Sequence, residues 1–191
     1  MFLESQINHP MQNGSIEVIC GSMFSGKTEE LLRRLKRAEF SKLTIAVFKP
    51  QVDKRYDHHK VVSHDENSIA AISIESAKDI LKLTNRVQVV AIDEAQFFDS
   101  ELVTVCTELA NSGIRVIISG LDMDFLGNPF GVMPKLLAIA EHITKVHAIC
   151  IDCHALANHS FRKTIDKNLI RIGDKEVYKP LCRDCFSKKM N

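Results

Sequence analysis

A mostly parallel α/β sheet flanked by helices, with a small metal-binding lobe at its C-terminal end, is the fold this sequence predicts. Three observations predict it. Short aliphatic runs alternate with stretches of helical spacing from about residue 15 to residue 149. The segment Gly21-Ser22-Met23-Phe24-Ser25-Gly26-Lys27-Thr28 joins the first aliphatic run to the first helical stretch. Two C-x-x-C pairs, Cys150/Cys153 and Cys182/Cys185, fall in a final segment poorer in aliphatic residues and richer in Cys, His and charge.

Each element has its own signal. Residues 1–14 read as a polar lead-in. Ile16-Glu17-Val18-Ile19-Cys20 is short and β-rich, and Thr28 to Leu35 has helical spacing. Leu43 to Phe48 reads as a strand stopped by Lys49-Pro50. Gln51 to Asn67 is polar, without a period, and predicts a loop. Ser68 to Ser73 predicts a short strand and Ser76 to Lys82 a weak helix. Val87 to Ile92 is an almost unbroken aliphatic run, which suits a parallel strand covered on both faces. Asp99 is the expected N-cap of a helix whose apolar positions are Leu102, Val103, Cys106, Leu109 and Ala110, and Gly113 ends it. Ile114 to Ile118 is the next strand, Pro134 to Glu141 the next helix and Ile143 to Ile149 the next strand. The expected organisation is a lead-in at 1–14, a nucleotide-binding domain at 15–149 and a metal-binding domain at 150–191.

Composition narrows the function. With 25 basic and 24 acidic residues the net charge is +1, so no global field draws in nucleic acid or an anionic membrane. The N-terminus lacks the basic flank and apolar core of a secretory signal, and no apolar run reaches membrane-spanning length. Together with the glycine-rich loop, these features predict a cytoplasmic protein with neither nucleic acid nor membrane as a partner.

The 21–28 segment fits G-x-x-x-x-G-K-[ST], the phosphate-binding loop, in its required strand–loop–helix setting. Glycines let the backbone wrap phosphate oxygens, and N–H groups at the helix start point at negative charge. Lys27 is expected to reach the β- and γ-phosphates, and the Thr28 hydroxyl to ligate Mg²⁺. Asp93-Glu94 directly follows the aliphatic run, at the end of a strand where parallel sheets bind ligands. With the phosphate loop expected on a neighbouring strand, Asp93 is the candidate Mg²⁺ carboxylate and Glu94 the candidate general base. This pair alone does not separate a kinase from an ATPase, since either orients a nucleophile with a carboxylate.

Four thiolates in two tight turns satisfy tetrahedral Zn²⁺ and close its coordination shell, which marks a structural site. Twenty-eight residues separate Cys153 from Cys182, so the metal would pin both ends of that segment. A reducing compartment favours metal over disulfides for this pattern. His147, His154 and His159 lie near the first pair; any could replace a cysteine and none is required. His58, His59 and His64 lack ligand spacing.

Taken in order, the glycine-rich loop, Asp93-Glu94-Ala95-Gln96-Phe97-Phe98, Gly120-Leu121-Asp122-Met123-Asp124-Phe125, Pro129-Phe130-Gly131 and the cysteine pairs with Tyr178 four residues before Cys182 resemble cellular-type (type II) thymidine kinases, from about residue 15 to residue 186. The resemblance implies a P-loop (RecA-like) sheet with a zinc-binding lasso domain closing over a nucleoside. It implies transfer of the γ-phosphate of ATP to the 5′-hydroxyl of thymidine, with deoxyuridine as a further acceptor, in pyrimidine salvage. ATP, Mg²⁺ and structural Zn²⁺ are the implied cofactors; a homotetramer and feedback by thymidine triphosphate are the implied assembly and regulation.

Carried over by position, the resemblance implies that Gly21 to Thr28, Asp53, Asp93 and Gln96 bind ATP and Mg²⁺. Glu94 is the implied base, and Arg55, in Asp53-Lys54-Arg55-Tyr56, steadies phosphate or the 5′-hydroxyl region. Phe97, Leu121, Phe125 and Phe130 become pocket walls, and Met23 and Ser160 surround the thymine 5-methyl group. Ile172, Gly173 and Tyr178 belong to the lasso. Phe98 reads better as core. Ala95 stands where some members have Gly, Cys185 where others have His, and Leu126-Gly127-Asn128 lacks a basic residue often found there. The alternative from another class is a zinc-ribbon ATPase that binds nucleic acid. Against it stand the near-zero net charge and the missing Arg/Lys stripe with stacking aromatics.

Overall fold

The computed structural model describes residues 14–52, 60–62, 68–163 and 177–190. Strand β1 (Ser15–Cys20) leads through the 21–28 loop into helix α1 (Lys27–Phe40). Then come β2 (Ile45–Pro50), β3 (Lys60–Val62), β4 (Ser68–Ala70), β5 (Ile72–Ile74) and α2 (Asp79–Leu83). β6 (Val89–Ile92), a 3₁₀ turn at Ala95–Phe97, α3 (Leu102–Asn111), β7 (Arg115–Gly120), α4 (Met133–Ile139) and β8 (His142–Lys145) complete the larger layer. The C-terminal segment contributes β9 (Ala148–Ile149), β10 (Leu156–Ala157), β11 (His159–Arg162), β12 (Tyr178–Leu181) and α5 (Arg183–Met190).

The main sheet has the order β5-β2-β6-β7-β1-β8, and every pairing in it is parallel. Alternation along the strands divides the core between its faces. On one face Leu31, Leu32, Leu35 and Ala38 of α1 cover Ile19, Val47, Val89, Ala91 and Ile117. On the other, Ile80, Leu102, Cys106, Leu109, Met133 and Leu136 from α2, α3 and α4 cover Val18, Phe48, Val90, Ile92 and Ile118. Covering on both faces is why β6 reads as a continuous aliphatic run rather than an alternating one.

One expectation about strand order is corrected. The acidic pair does not sit on the neighbour of the loop strand, because β7 lies between β1 and β6. Two inter-strand steps, roughly 10 Å, therefore separate the ends of those strands. Local sequence does not encode strand order. Here the connection from β6 through α3 returns the chain as β7, parallel to β6 and next to β1.

Element limits shift for physical reasons. Lys49 and Pro50 do not stop β2; they pair with Ser73 and Ile74 of β5. The pairing of β2 with β6 ends at Phe48↔Ile92, so the N–H that Pro50 lacks is not needed on that side. Part of the polar stretch 51–67 is a strand: β3 pairs antiparallel with β4, anchored by buried Val61. The 143–149 run breaks after Lys145. β8 joins the main sheet beside β1, while β9 pairs with β10. Asp99 receives the Glu101 and Ala77 N–H groups, and Gly113 follows α3 with φ 85°. Gly14 donates its N–H to the Ala110 carbonyl; residues 1–13 lie outside the described residues.

Buried Glu17 on β1 is held between Arg34 of α1 and Arg115 of β7, at 2.7 and 2.5 Å. Burial pushes its carboxyl up, but the Arg115 and Arg34 guanidiniums outweigh that and hold it below the ordinary carboxylate range. The network ties the first helix to two central strands.

Candidate active site and thiolate centre

Three loops, after β1, β6 and β7, lie at the carboxyl edge of the sheet. The 21–28 loop leaves β1 with Gly21 pressed against the neighbouring backbone, where an added Cβ would lie 2.1 Å from the Val146 carbonyl oxygen. Phe24 and Gly26 both adopt left-handed conformations, φ 63° and 86°. Such residues curl successive N–H groups into an anion-binding nest at the start of α1. Lys27 is buried, and its ammonium donates to the Ser22 carbonyl at 2.7 Å, across the mouth of the loop. The Ser25 hydroxyl donates to the same carbonyl. Thr28 occupies the first turn of α1.

The loop is also held from the C-terminal side. Met23 N–H donates to the Ser160 hydroxyl at 3.0 Å, and the Ser22 hydroxyl reaches the Ala157 carbonyl at 3.4 Å. Phe24 packs on a small core made by Ala148, Cys150, Ala157, Leu181, Cys182 and Phe186. The expected phosphate loop and the cysteine lobe therefore share one hydrophobic cluster.

At the end of β6, Asp93 is buried and accepts the Glu94 N–H on Oδ1 at 3.0 Å. Glu94 itself takes a left-handed conformation, φ 52° and ψ 41°, at the start of the 3₁₀ turn. A glutamate held there costs about 1 kcal/mol or more, so the surrounding contacts must fix it. Gln96 supplies one: its amide nitrogen donates to Glu94 Oε2. Its oxygen accepts the Leu121 N–H at 2.9 Å. Gln96, expected among the ATP and Mg²⁺ ligands, is thus engaged with Glu94 and the end of β7.

The expected pocket residues gather on the same side. Phe97 meets Phe130 edge to face, with centroids 5.7 Å apart. Phe98 is buried in the main core, in line with its reading as core. The 121–130 loop is tightened by Asp124, whose Oδ1 accepts N–H groups from Leu126 and Asn128. Arg162 was missed in the sequence. Its guanidinium lies 3.7 Å from the Phe125 ring centroid and donates to the Tyr178 hydroxyl at 2.8 Å. A planar, always-charged group buried between two aromatics fixes both rings at once. Its strand, His159-Ser160-Phe161-Arg162, is mostly polar and carries no apolar pattern that would have marked the arginine as buried. Asp53, Arg55, Tyr56, Ile172 and Gly173 lie outside the described residues.

Beneath the loop, Asp122 pairs with Lys145 at 2.6 Å. Burial pushes the adjacent Cys20 thiol up to about 11, so it is a packing residue rather than a nucleophile. His159 is buried and stacked on Phe186 at 4.4 Å. Burial, and then Arg183 and Lys145, hold its imidazole below the ordinary value.

The sulfurs of Cys150, Cys153, Cys182 and Cys185 all lie within 4.8 Å of one another. Tetrahedral zinc with Zn–S near 2.3 Å sets sulfurs about 3.8 Å apart, so the cluster fits that ion. Burial pushes the Cys150 thiol up, but hydrogen bonding from Cys182, Asp152 and Cys153 backbone groups outweighs it and brings it to about 6. The neighbouring thiols of Cys153 and Cys182 push Cys185 up to about 12. Four sulfurs this close hold several negative charges only around a cation, which zinc would supply. No other cluster of this type occurs among the described residues.

The fold and site define a parallel α/β protein with a phosphate-loop motif beside an acidic strand end and a tetrathiolate centre. The model of the thymidine kinase family matches residues 14–186, and the chain belongs to that family. Thymidine kinase of Bacteroides thetaiotaomicron is 55% identical over 186 residues, covering 97% of this chain and 94% of its own. Thymidine kinase of Porphyromonas gingivalis is 54% identical over 190 residues, covering 98% and 93%. That of Rhodothermus sp. is 52% identical over 180 residues, covering 94% and 84%. Among solved structures, domain III of the Thermotoga maritima replication initiation protein DnaA matches with TM-score 0.44 and 15% identity, over 72% of this chain and 56% of that one. Among the described residues no helix is long and apolar enough to cross a membrane.

Proposed function

We propose that this chain transfers the γ-phosphoryl group of ATP to the 5′-hydroxyl of thymidine, giving thymidine monophosphate and ADP. Family membership supports the substrates. The observation that carries the reading is the join between the two halves of the crevice, where the loop expected to hold ATP donates Met23 N–H to Ser160 of the strand expected to border the base.

The residues divide the work. The nest at 21–28 and the Lys27 ammonium would cradle the triphosphate and offset charge on its β- and γ-oxygens. The Thr28 hydroxyl and the Asp93 carboxylate are oxygen donors of the kind Mg²⁺ takes, one at the helix start and one at a strand end. When bound with ATP, Mg²⁺ neutralises charge that builds on the bridging oxygens. Glu94 would accept the proton of the 5′-hydroxyl as that oxygen attacks, a contribution of ~10²–10⁴-fold. Phe97, Leu121, Phe125 and Phe130 offer apolar area to the flat faces of thymine, with Met23 and Ser160 at the 5-methyl edge. Tyr178, set by Arg162, would close the slot and help exclude water, which otherwise competes for the phosphoryl group. Arg55, Asp53, Ile172 and Gly173 keep their implied roles near phosphate and base.

Zinc at the four cysteines serves structure, since four protein ligands leave no open position. The reading extends to deoxyuridine as a second acceptor, a homotetramer, feedback by thymidine triphosphate, and a cytoplasmic place in pyrimidine salvage for DNA synthesis. The test is Glu94→Gln. Turnover falls ~10²–10⁴-fold while binding of an ATP analogue persists; unchanged turnover contradicts the assignment.

A further inference from the structure

Gln96 stands at the centre of a set of contacts that phosphate binding does not explain. It is buried, on the 3₁₀ turn that follows Glu94. Its two amide atoms are used in opposite senses. The oxygen accepts the Leu121 N–H at 2.9 Å, and the nitrogen donates to Glu94 Oε2 at 2.5 Å. The orientation of the amide is fixed by the backbone. An NH₂ group turned toward the Leu121 N–H would set donor against donor, so the NH₂ must face the carboxylate.

Two glycines make room for this arrangement. A Cβ at Gly131 would lie 2.4 Å from the Gln96 carbonyl oxygen. A Cβ at Gly120 would lie 2.8 Å from Gln96 Oε1 and 2.6 Å from Met133 Sδ. Gly120 thus leaves space for the Gln96 amide, and Gly131 for the backbone of the turn that carries it. Glu94 itself caps that turn in a left-handed conformation, its N–H donating to Asp93 and its carbonyl accepting the Phe97 N–H, so the Gln96 amide is a contact that holds its side chain.

We infer that Gln96 is a positioning residue, which anchors one oxygen of Glu94 to the end of β7. The inference rests on the reading of Glu94 as the base. In the wild type, the amide donor holds the carboxylate in one place through Oε2. It also removes rotamer freedom that would scatter the base over several positions. Because Leu121 is itself an expected pocket wall, the amide sets the distance between base and nucleoside slot.

The test uses the full chain with ATP and thymidine. Gln96→Met keeps the volume and loses both hydrogen bonds. Its kcat falls about 10- to 100-fold, as expected for a misplaced reacting group, while KM for each substrate stays within about threefold. Gln96→Glu keeps an acceptor for Leu121 and so retains the fold if the methionine variant does not. Two carboxylates at hydrogen-bond distance do not both ionise freely, so the acidic limb of its kcat/KM profile moves to higher pH by about one unit or more. Wild-type kcat in Gln96→Met, a loss confined to KM, or a Gln96→Glu profile superimposable on the wild type overturns the inference. Glu94→Gln run in parallel separates the two claims. If it is fully active, the base assignment and this inference fail together. If it is inactive while both Gln96 variants match the wild type, only the inference about Gln96 fails.

Discussion

The backbone N–H of Met23 donates to the hydroxyl of Ser160 at 3.0 Å, across 137 residues of chain. One end of this bond belongs to the phosphate-loop motif and the other to β11, beside the thiolate centre. Ser160 is buried, so loss of its hydroxyl leaves the Met23 N–H without a comparable partner. Ser160→Ala is expected to cost about 1–3 kcal/mol, seen as higher KM for ATP and thymidine together, and Ser160→Thr to retain both. Steady-state kinetics with each substrate varied checks this; a change in KM for thymidine alone would show that the bond does not couple the two halves.

Phe24 carries the same coupling through packing. It lies on the cluster that contains Cys150 and Cys182, so the metal and the loop share a support. Removing the metal with a chelator should lower the melting midpoint and speed hydrogen exchange at Met23 and Phe24, not only in the cysteine knuckles. Exchange confined to residues around the cysteines would contradict the link.

Glu17 makes a stability prediction away from the site. Glu17→Gln breaks a buried network with Arg34 and Arg115, at an expected cost of roughly 3 kcal/mol. Because the native carboxyl is held below its ordinary value of 4.5, its stabilisation is full above that value and is lost as pH falls through the lower native value. Urea melts of wild type and variant at pH 7 and in mild acid should converge as pH falls; a gap independent of pH would contradict the network.

His159 gives the opposite chemistry and the same direction. Its imidazole is held below the ordinary 6.5 by burial, then by Arg183 and Lys145. Below pH 6.5 the unfolded chain binds a proton that the native chain refuses, so stability present above that pH is lost as pH falls toward the native value. Melting midpoints of wild type and His159→Gln between pH 7.5 and 5.5 isolate the effect. The wild type should lose more, and parallel curves would contradict it.

Much of this was legible in the sequence, for reasons that differ by residue. The aliphatic run ending at Ile92 announced a doubly covered parallel strand because burial on both faces leaves no polar alternation. The four cysteines announced their cluster because ligand spacing is a local property. The place of β7 between β1 and β6 was not legible, since strand order depends on crossover geometry. Pro50 misled because its missing N–H costs nothing where the adjoining strand has ended. Arg162 and the support given by Gln96 were hidden because a side chain's partners are set by contacts over long sequence separations. Arg162 meets Tyr178 through the pairing of β11 with β12, and Phe125 from the 121–130 loop.

The central claim is that one crevice delivers the terminal phosphoryl group to a nucleoside hydroxyl rather than to water. ATP labelled in the γ-phosphate, incubated with the chain and either thymidine or 5′-deoxythymidine, tests it directly. The account predicts label in thymidine 5′-monophosphate with the first and almost no ADP release with the second. Label appearing in inorganic phosphate at the same rate whether or not a 5′-hydroxyl is present would contradict it.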